Sequence, residues 1–284
     1  MKLERWSLDF YRLPYTKAVV WSNAEEDSGL YALLTLVADG MKGVAEGTIK
    51  STWSGVSPGS LHAALEDVVL PLLRNVDLLD EKAVYGSLAR IPENRLAKGL
   101  VDNACWMLRA LHAKQPLWKL LGGAPEVEVC WTVTRDKPAL MAKESADYCG
   151  RHGFRTLKVK GGQEMKTDLE ALAAIRAAVG PGVALTVDAN SAFTRDQAPD
   201  YVQRIAEAGA ILAEDPSPLV PDARFEALQK ASPIPILVDG SCTSARDAAL
   251  YVARGMQAVS LKPGRVGLSE CLKVKETVGP QRQT

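Results

Sequence analysis

VALTVD, residues 183–188, is a short run of β-branched and apolar residues that closes on an acid, Asp188. Runs of the same form flank it. VEVCWTV (127–133) and RTLKVK (155–160) precede it, and AILAE (210–214), PILVD (235–239) and QAVSLK (257–262) follow. Helical patterns fill the gaps at 138–150, 166–178, 196–208, 222–231 and 244–254. Gly153, Gly180, Gly209 and Gly255 stand where helices should stop. Strands and helices alternating at this spacing predict βαβ units and a parallel sheet. Six such units fit an open doubly wound sheet or part of a (β/α)8 barrel. No GxGxxG follows the first strand and no GxxxxGK[ST] occurs, so the barrel is the better reading, with about six units present.

Charged residues recur at the strand ends: Lys158 and Lys160, Asp188, Glu214, Asp239 and Lys262. From Lys160 onward the intervals are 188−160 = 28, 214−188 = 26, 239−214 = 25 and 262−239 = 23, one βα unit each time. In a parallel barrel these ends open on one face, where active sites lie. Lys158 and Lys160 alternate with Val159, so they share one face of their strand. Three converging carboxylates repel one another unless a cation sits among them. Oxygen donors without Cys or His favour Mg²⁺ or a similar hard ion. A lysine serves as a base only when neutral, and neighbouring positive charge disfavours its charged form. The set suits removal of a proton next to a carboxylate, with a metal holding the enediolate and two lysines serving opposite faces of the carbon.

The remaining composition is that of an ordinary globular chain. Of 284 residues, 47% are hydrophobic and 24% charged, which excludes wholesale disorder and collagen-like repeats. Lys+Arg and Asp+Glu both number 34, so the basic excess of a nucleic-acid binder is absent. No run approaches the roughly 18 apolar residues of a membrane span, and MKLERWSLDF lacks a signal peptide's apolar stretch. Five scattered Cys suit reduced thiols in a cytoplasmic protein. The region to about residue 122 reads as a separate α+β unit. Apolar residues 30–38 meet Asp39-Gly40 and a second short strand over Val44–Thr48, a hairpin. Helical patterns follow from Pro58 to Leu72 and over 95–111.

The ordered set Thr156-Leu-Lys-Val-Lys160, Val187-Asp-Ala-Asn190, Ala213-Glu-Asp-Pro216, Val238-Asp239 and Leu261-Lys-Pro-Gly264 resembles the enolase superfamily, and within it the muconate lactonizing enzyme subgroup. Gln115-Pro-Leu-Trp-Lys-Leu-Leu-Gly-Gly123 is similar to that family's junction between capping domain and barrel. The resemblance implies an α+β capping domain over residues 1–122 and a catalytic barrel domain over 123–284. It implies Asp188, Glu214 and Asp239 as ligands of Mg²⁺ (or Mn²⁺), with Lys160 and Lys262 as paired acid/base lysines. Lys158 would assist Lys160 or meet the substrate carboxylate, and Asn190 would be a lesser contact. Loops near 16–28 and 47–56 would shape substrate choice, with Trp21, Trp53 and Ser54 as candidates there and Arg265 beyond Lys262. The implied substrate is a small carboxylate, without nucleic acid or membrane, and the implied assembly a homo-oligomer.

Two departures from the family pattern stand out. Gly240 follows Asp239 where a Glu is common, which removes an outer carboxylate and puts a neighbouring lysine's orientation in doubt. The sequence also reaches Thr284 with one helix after Lys262, where the family adds two further strands and their helices. The reading is therefore of an incomplete barrel with open edges at its first and sixth strands: a truncated product, an impaired remnant or metal-binding scaffold, or a chain completed by a partner.

The implied reactions are racemisation or epimerisation of amino-acid derivatives, cycloisomerisation, and the dehydration that forms o-succinylbenzoate. The run Leu261-Lys-Pro-Gly-Arg-Val-Gly267 is similar to o-succinylbenzoate synthases and N-acylamino-acid racemases. His62, His112 and His152 lack convergent partners and read as surface or helix residues. The Cys, and Trp106 and Trp118 at helical spacing, read as packing.

Overall fold

The computed structural model describes residues 1–280 apart from 22 and 23, together with 282, and leaves the side chains of 21, 24, 52 and 53 undescribed. Two compact units divide the chain. The first comprises Met1–Thr16, Ser28–Val127 and Lys262–Val274; the second Lys17–Asp27, Glu128–Leu261 and Lys275–Thr284.

The first unit holds most of a three-stranded sheet in the order β1 (Arg5–Trp21), β2 (Ala24–Ala38), β3 (Met41–Ile49). β2 and β3 pair antiparallel with Ala38 opposite Met41. That leaves Asp39 and Gly40 as a two-residue loop with φ of 47° and 72°. Positive φ at both positions is the twist-matched hairpin turn that the Asp-Gly pair predicts. Ala32, Leu34, Leu36 and Ala38 alternate into the core. Short helix α1 (Ser51–Ser54) follows. Helix α2 (Pro58–Ala63) starts on Ser57, which caps the Ser60 amide, and runs on as π and 3-10 turns to Leu73. α3 (Glu81–Ala89), α4 (Arg95–His112) and α5 (Leu117–Leu120) complete the α part. α4 lays Leu96, Leu100, Val101, Ala104 and Leu108 into the same core as the sheet. Its approach to β3 is so close that a Cβ at Gly43 would stand 2.3 Å from the Ala104 carbonyl oxygen.

The second unit carries six strands: β4 (Trp131–Val133), β5 (Thr156–Lys160), β6 (Ala184–Asp188), β7 (Ala210–Glu214), β8 (Ile236–Val238) and β9 (Ala258–Val259). The sheet order is the sequence order, β4 to β9, and each strand pairs parallel with the next. A doubly wound sheet reverses its strand order partway; a barrel does not. The winding is thus that of a (β/α) barrel, as the sequence predicts. Helices α6 (Pro138–His152), α7 (Met165–Val179), α8 (Ala198–Glu207), α9 (Ala223–Ala231) and α10 (Ala245–Val252) lie between the strands. Gly153, Gly180, Gly209 and Gly255 all take positive φ just past a helix end. After β9 come the helical turn α11 (Pro263–Val266) and α12 (Leu268–Val278). Among the described residues no helix is long and apolar enough to cross a membrane.

Several expectations are corrected. Residues 16–21 and 24–28 belong to β1 and β2 and are not a loop. The expected strand over 127–133 is paired only from Trp131; Val127 is 83% exposed, so its alternation with Glu126 and Glu128 has no face to bury. Trp118 is 40% exposed and Cys130 is exposed, so neither is a packing residue, whereas Trp106 and Cys271 are buried.

Candidate active site

The strand register gathers the charged residues of the second unit. Lys160 is the register partner of Asp188, and Asp188 that of Glu214, so the three end β5, β6 and β7 in one row. Leu157 and Val159 are buried, leaving Lys158 and Lys160 on the opposite face of β5. The Lys160 Nζ donates to Asp188 Oδ2 (2.6 Å) and Asn190 Oδ1 (3.1 Å). The Lys158 Nζ lies 3.0 Å from the same Asp188 oxygen and donates to Glu214 Oε2. Asn190 turns back through φ +48°, so its own amide donates to Asp188 Oδ1 at 2.9 Å.

These groups are largely out of water, so their mutual fields are strong. Burial pushes the Asp188 carboxyl up, but Lys158 and Lys160 outweigh it and hold the group below its usual range. Burial, followed by the Asp188 charge, pushes Glu214 up to about 7 against the pull of Lys158. Burial would lower the Lys158 pKa; Asp188 and Glu214 outweigh it, so Lys158 is held above its ordinary range and stays a cation. Asp239 follows β8 directly. Its amide donates to Asp215 Oδ1 (3.1 Å), and the Gly240 amide donates to Asp215 Oδ2 (2.8 Å). A Cβ at 240 would sit 3.2 Å from that oxygen. Asp215 thereby grips the turn after β8.

Among the described residues no three His, Cys, Asp or Glu side chains stand together as a formed metal site. The Lys158 ammonium lies instead between Asp188 and Glu214. The donor chemistry fits a divalent cation all the same. All three acids offer hard oxygens, and Glu214 Oε1 is buried with no hydrogen-bond partner. A buried acceptor left in that state is costly unless a donor or cation meets it.

The other predicted residues are placed as follows. Lys262 is three residues past β9 in the chain and heads α11, its carbonyl accepting from the Arg265 amide at 2.8 Å. Arg265 is buried within α11. The Ser54 hydroxyl donates to the Lys50 carbonyl at 2.9 Å, closing α1. The side chains of Trp21 and Trp53 lie outside the described residues. His62, His112 and His152 are exposed.

Sequence reading missed the groups that hold the strand-end turns. Asp168 accepts from the Gly162 amide (2.6 Å), the Gln163 amide (3.2 Å) and the Tyr201 hydroxyl (2.8 Å). Arg135 Nε donates to the Gly161 carbonyl at 2.6 Å. Together they fix the turn that leaves Lys160. The available signal was Asp168 in the same helical stripe as Ala171, Leu172 and Ile175, all buried: an acid on an apolar face needs a partner.

Comparison with known proteins agrees with this architecture. Residues 14–122 match the mandelate racemase/muconate lactonizing enzyme N-terminal domain, and residues 140–278 the enolase C-terminal domain-like family. The chain belongs to the mandelate racemase/muconate lactonizing enzyme family of the enolase superfamily. A hydrophobic dipeptide epimerase of Enterococcus faecalis is 33% identical over 186 residues, covering 63% of this chain and 51% of the relative. A chloromuconate cycloisomerase of Cupriavidus necator is 27% identical over 292 residues, covering 96% of this chain and 76% of the relative. The crystal structure of the L-Ala-D/L-Glu epimerase from Bacillus subtilis superposes with a TM-score of 0.88 at 25% identity, over 96% of this chain and 78% of that one. These relatives are enzymes, and membership of the superfamily implies a divalent metal.

Proposed function

We propose that the protein catalyses Mg²⁺-dependent transfer of a proton at the carbon α to a carboxylate, and that its substrate is an N-acylated amino acid or dipeptide that it racemises or epimerises. One observation carries this reading: Lys160, Asp188 and Glu214 share a row, with Lys158 bridging the two acids and Glu214 Oε1 left buried and unmet.

Asp188, Glu214 and Asp239 would hold the cation (Mg²⁺, or Mn²⁺ in its place), which when bound supplies positive charge to stabilise the enediolate form of the substrate carboxylate. This chain's own residues do the rest. Lys160 stands on its strand end with Asp188 and Asn190 as hydrogen-bond partners, so its Nζ is oriented before substrate arrives. Lys158, held protonated by its acids, supplies fixed positive charge for a substrate carboxylate. Lys160 moves the proton on one face of the α carbon, and Lys262 is its counterpart on the other. A base on each face is what inversion at carbon needs. Epimerase relatives support that outcome, and cycloisomerase relatives stand beside them. Residues 1–122 would act as the capping domain, with Trp21, Trp53, Ser54 and Arg265 as substrate contacts, and the five free Cys suit a reducing, cytoplasmic setting.

The test is α-proton exchange. Purified protein is incubated in D₂O with N-acylamino acids and dipeptides of both configurations, with Mg²⁺ and with EDTA, and deuterium uptake is read by mass spectrometry. The reading expects Mg²⁺-dependent uptake with at least one member of the panel. Exchange that persists in EDTA, or none across the panel, overturns it.

A further inference from the structure

Lys262 is followed by a stretch that α4 grips at both ends. The Asn103 Nδ2 donates to the carbonyl of Pro263, the residue after Lys262, at 3.0 Å, and Asn103 Oδ1 accepts from the Leu268 amide at 2.9 Å. Its neighbour Asp102 accepts from the Ser269 amide on Oδ2 (2.7 Å) and from the Ser269 hydroxyl on Oδ1 (2.6 Å). Trp106, one turn on, donates its indole N–H to the same hydroxyl at 2.8 Å. Between the two grips the turn is wound on Lys262 itself: its carbonyl accepts from the amides of Arg265 (2.8 Å) and Val266 (3.2 Å).

The fit is close as well as polar. A Cβ at Gly99 would meet the Gly267 nitrogen at 2.8 Å, and a Cβ at Gly267 would meet Asp102 Oδ2 at 2.9 Å. Gly267 takes φ +92°, which an L side chain rarely adopts. Asp102 is 4% exposed and Ser269 3%. Placing a carboxylate so deep in a helix face is unfavourable unless it is fully hydrogen-bonded. Asp102 lies on the side of α4 away from the core stripe of Leu96, Leu100 and Leu108, on the face where Gly99 and Trp106 also meet the 267–269 segment, so packing against the sheet does not call for an acid at 102. Two adjacent polar residues, Asn103 on both ends of the 263–268 turn and Asp102 on Ser269 just beyond it, therefore hold the turn in place.

We infer that Asp102 and Asn103 are positioning residues for Lys262: helix α4 sets where the second lysine stands. The inference rests on the proposed function, in which Lys262 serves one face of the α carbon and Lys160 the other. Lys160 has its own support in Asp168, Tyr201 and Arg135, so loosening α4's grip should affect one face only. Displacing a reacting group by about 1 Å costs roughly 100-fold.

The experiment measures α-deuterium exchange separately for the two enantiomers of one substrate, in the full chain with Mg²⁺. The variants are Asn103→Ala, Ser269→Ala, Asp102→Asn and Lys262→Ala. Asn103 is partly exposed, so Asn103→Ala keeps the test open should a variant at buried Asp102 fail to fold. The expected result is a 10- to 100-fold slower exchange of the enantiomer that Lys262→Ala abolishes, with the other enantiomer changed less than about twofold. A merely structural role would lower both alike. If Lys262→Ala is enantiomer-selective while Asn103→Ala and Ser269→Ala slow both enantiomers equally, or neither, the positioning role is overturned and the two-lysine reading stands. If Lys262→Ala shows no selectivity, the two-lysine reading fails, and the positioning role with it.

Discussion

Lys160 and Asp188 are register partners on β5 and β6, and the lysine's Nζ meets the acid's Oδ2 at 2.6 Å. That oxygen also takes Lys158 at 3.0 Å, so one carboxylate oxygen holds two ammonium groups. The arrangement follows from topology. A parallel sheet wound in sequence order ends each strand beside the next, so residues 28 positions apart become neighbours.

On the proposed function, the two lysines would compete with a bound cation for the same acids. Lys158→Met leaves Asp188 and Glu214 adjacent with less compensation, and breaking a buried pair of this kind costs about 3 kcal/mol. We expect the variant to melt lower than wild type in EDTA and to gain more from millimolar Mg²⁺ than wild type does. Calorimetric melts with and without Mg²⁺ check this. An equal Mg²⁺ shift in both proteins contradicts it.

Asp215 gives a pH dependence of definite sign. Burial pushes its carboxyl up from 3.8 to about 6, although the amides of Asp239 and Gly240 oppose the shift. A folded-state pKa above the unfolded one contributes stability that is present below about pH 4 and lost as pH rises through 6. Asp215→Asn removes that slope. Urea unfolding in metal-free buffer from pH 4 to 7 should show the wild type falling relative to the variant as pH rises. Parallel curves would refute the assignment.

The packing of α4 on β3 is tested by glycine. Gly43→Ala places a methyl against the Ala104 carbonyl, which as backbone cannot swing away. Overpacking of this kind costs about 3 kcal/mol. Gly86, inside α3 with open space around its Cβ position, is the opposite case. There Gly86→Ala should stabilise by about 0.5–1 kcal/mol. Urea midpoints moving in opposite directions support the contact; matching shifts do not.

Much of this architecture was legible because it rests on period and punctuation. The Asp39-Gly40 turn, the glycine stops and the strand-end charges each signal a local rule that the fold obeys. β1 was not legible. It is an edge strand of RWSLDFYRLPYTKAVVW in which Pro14 has no amide to donate and, among the described side chains, Trp6 and Leu8 pack on the core. Val127 and Val129 misled in the other sense, since alternation predicts a strand whether or not a neighbour pairs with it. The acids Asp102, Asp168 and Asp215 were passed over because their partners are backbone amides and hydroxyls, many of them brought close only by the fold. Charge at a strand end announces itself; charge within an apolar helical stripe must be looked for.

The central claim is that two lysines serve the two faces of one α carbon. It is tested most directly by enantiomer-resolved deuterium exchange in Lys160→Ala and Lys262→Ala, with Mg²⁺ present. The account predicts a crossed pattern: each variant loses exchange of one enantiomer, at least 100-fold, and retains the other. Loss of both enantiomers in both variants, or exchange untouched in either one, would contradict it.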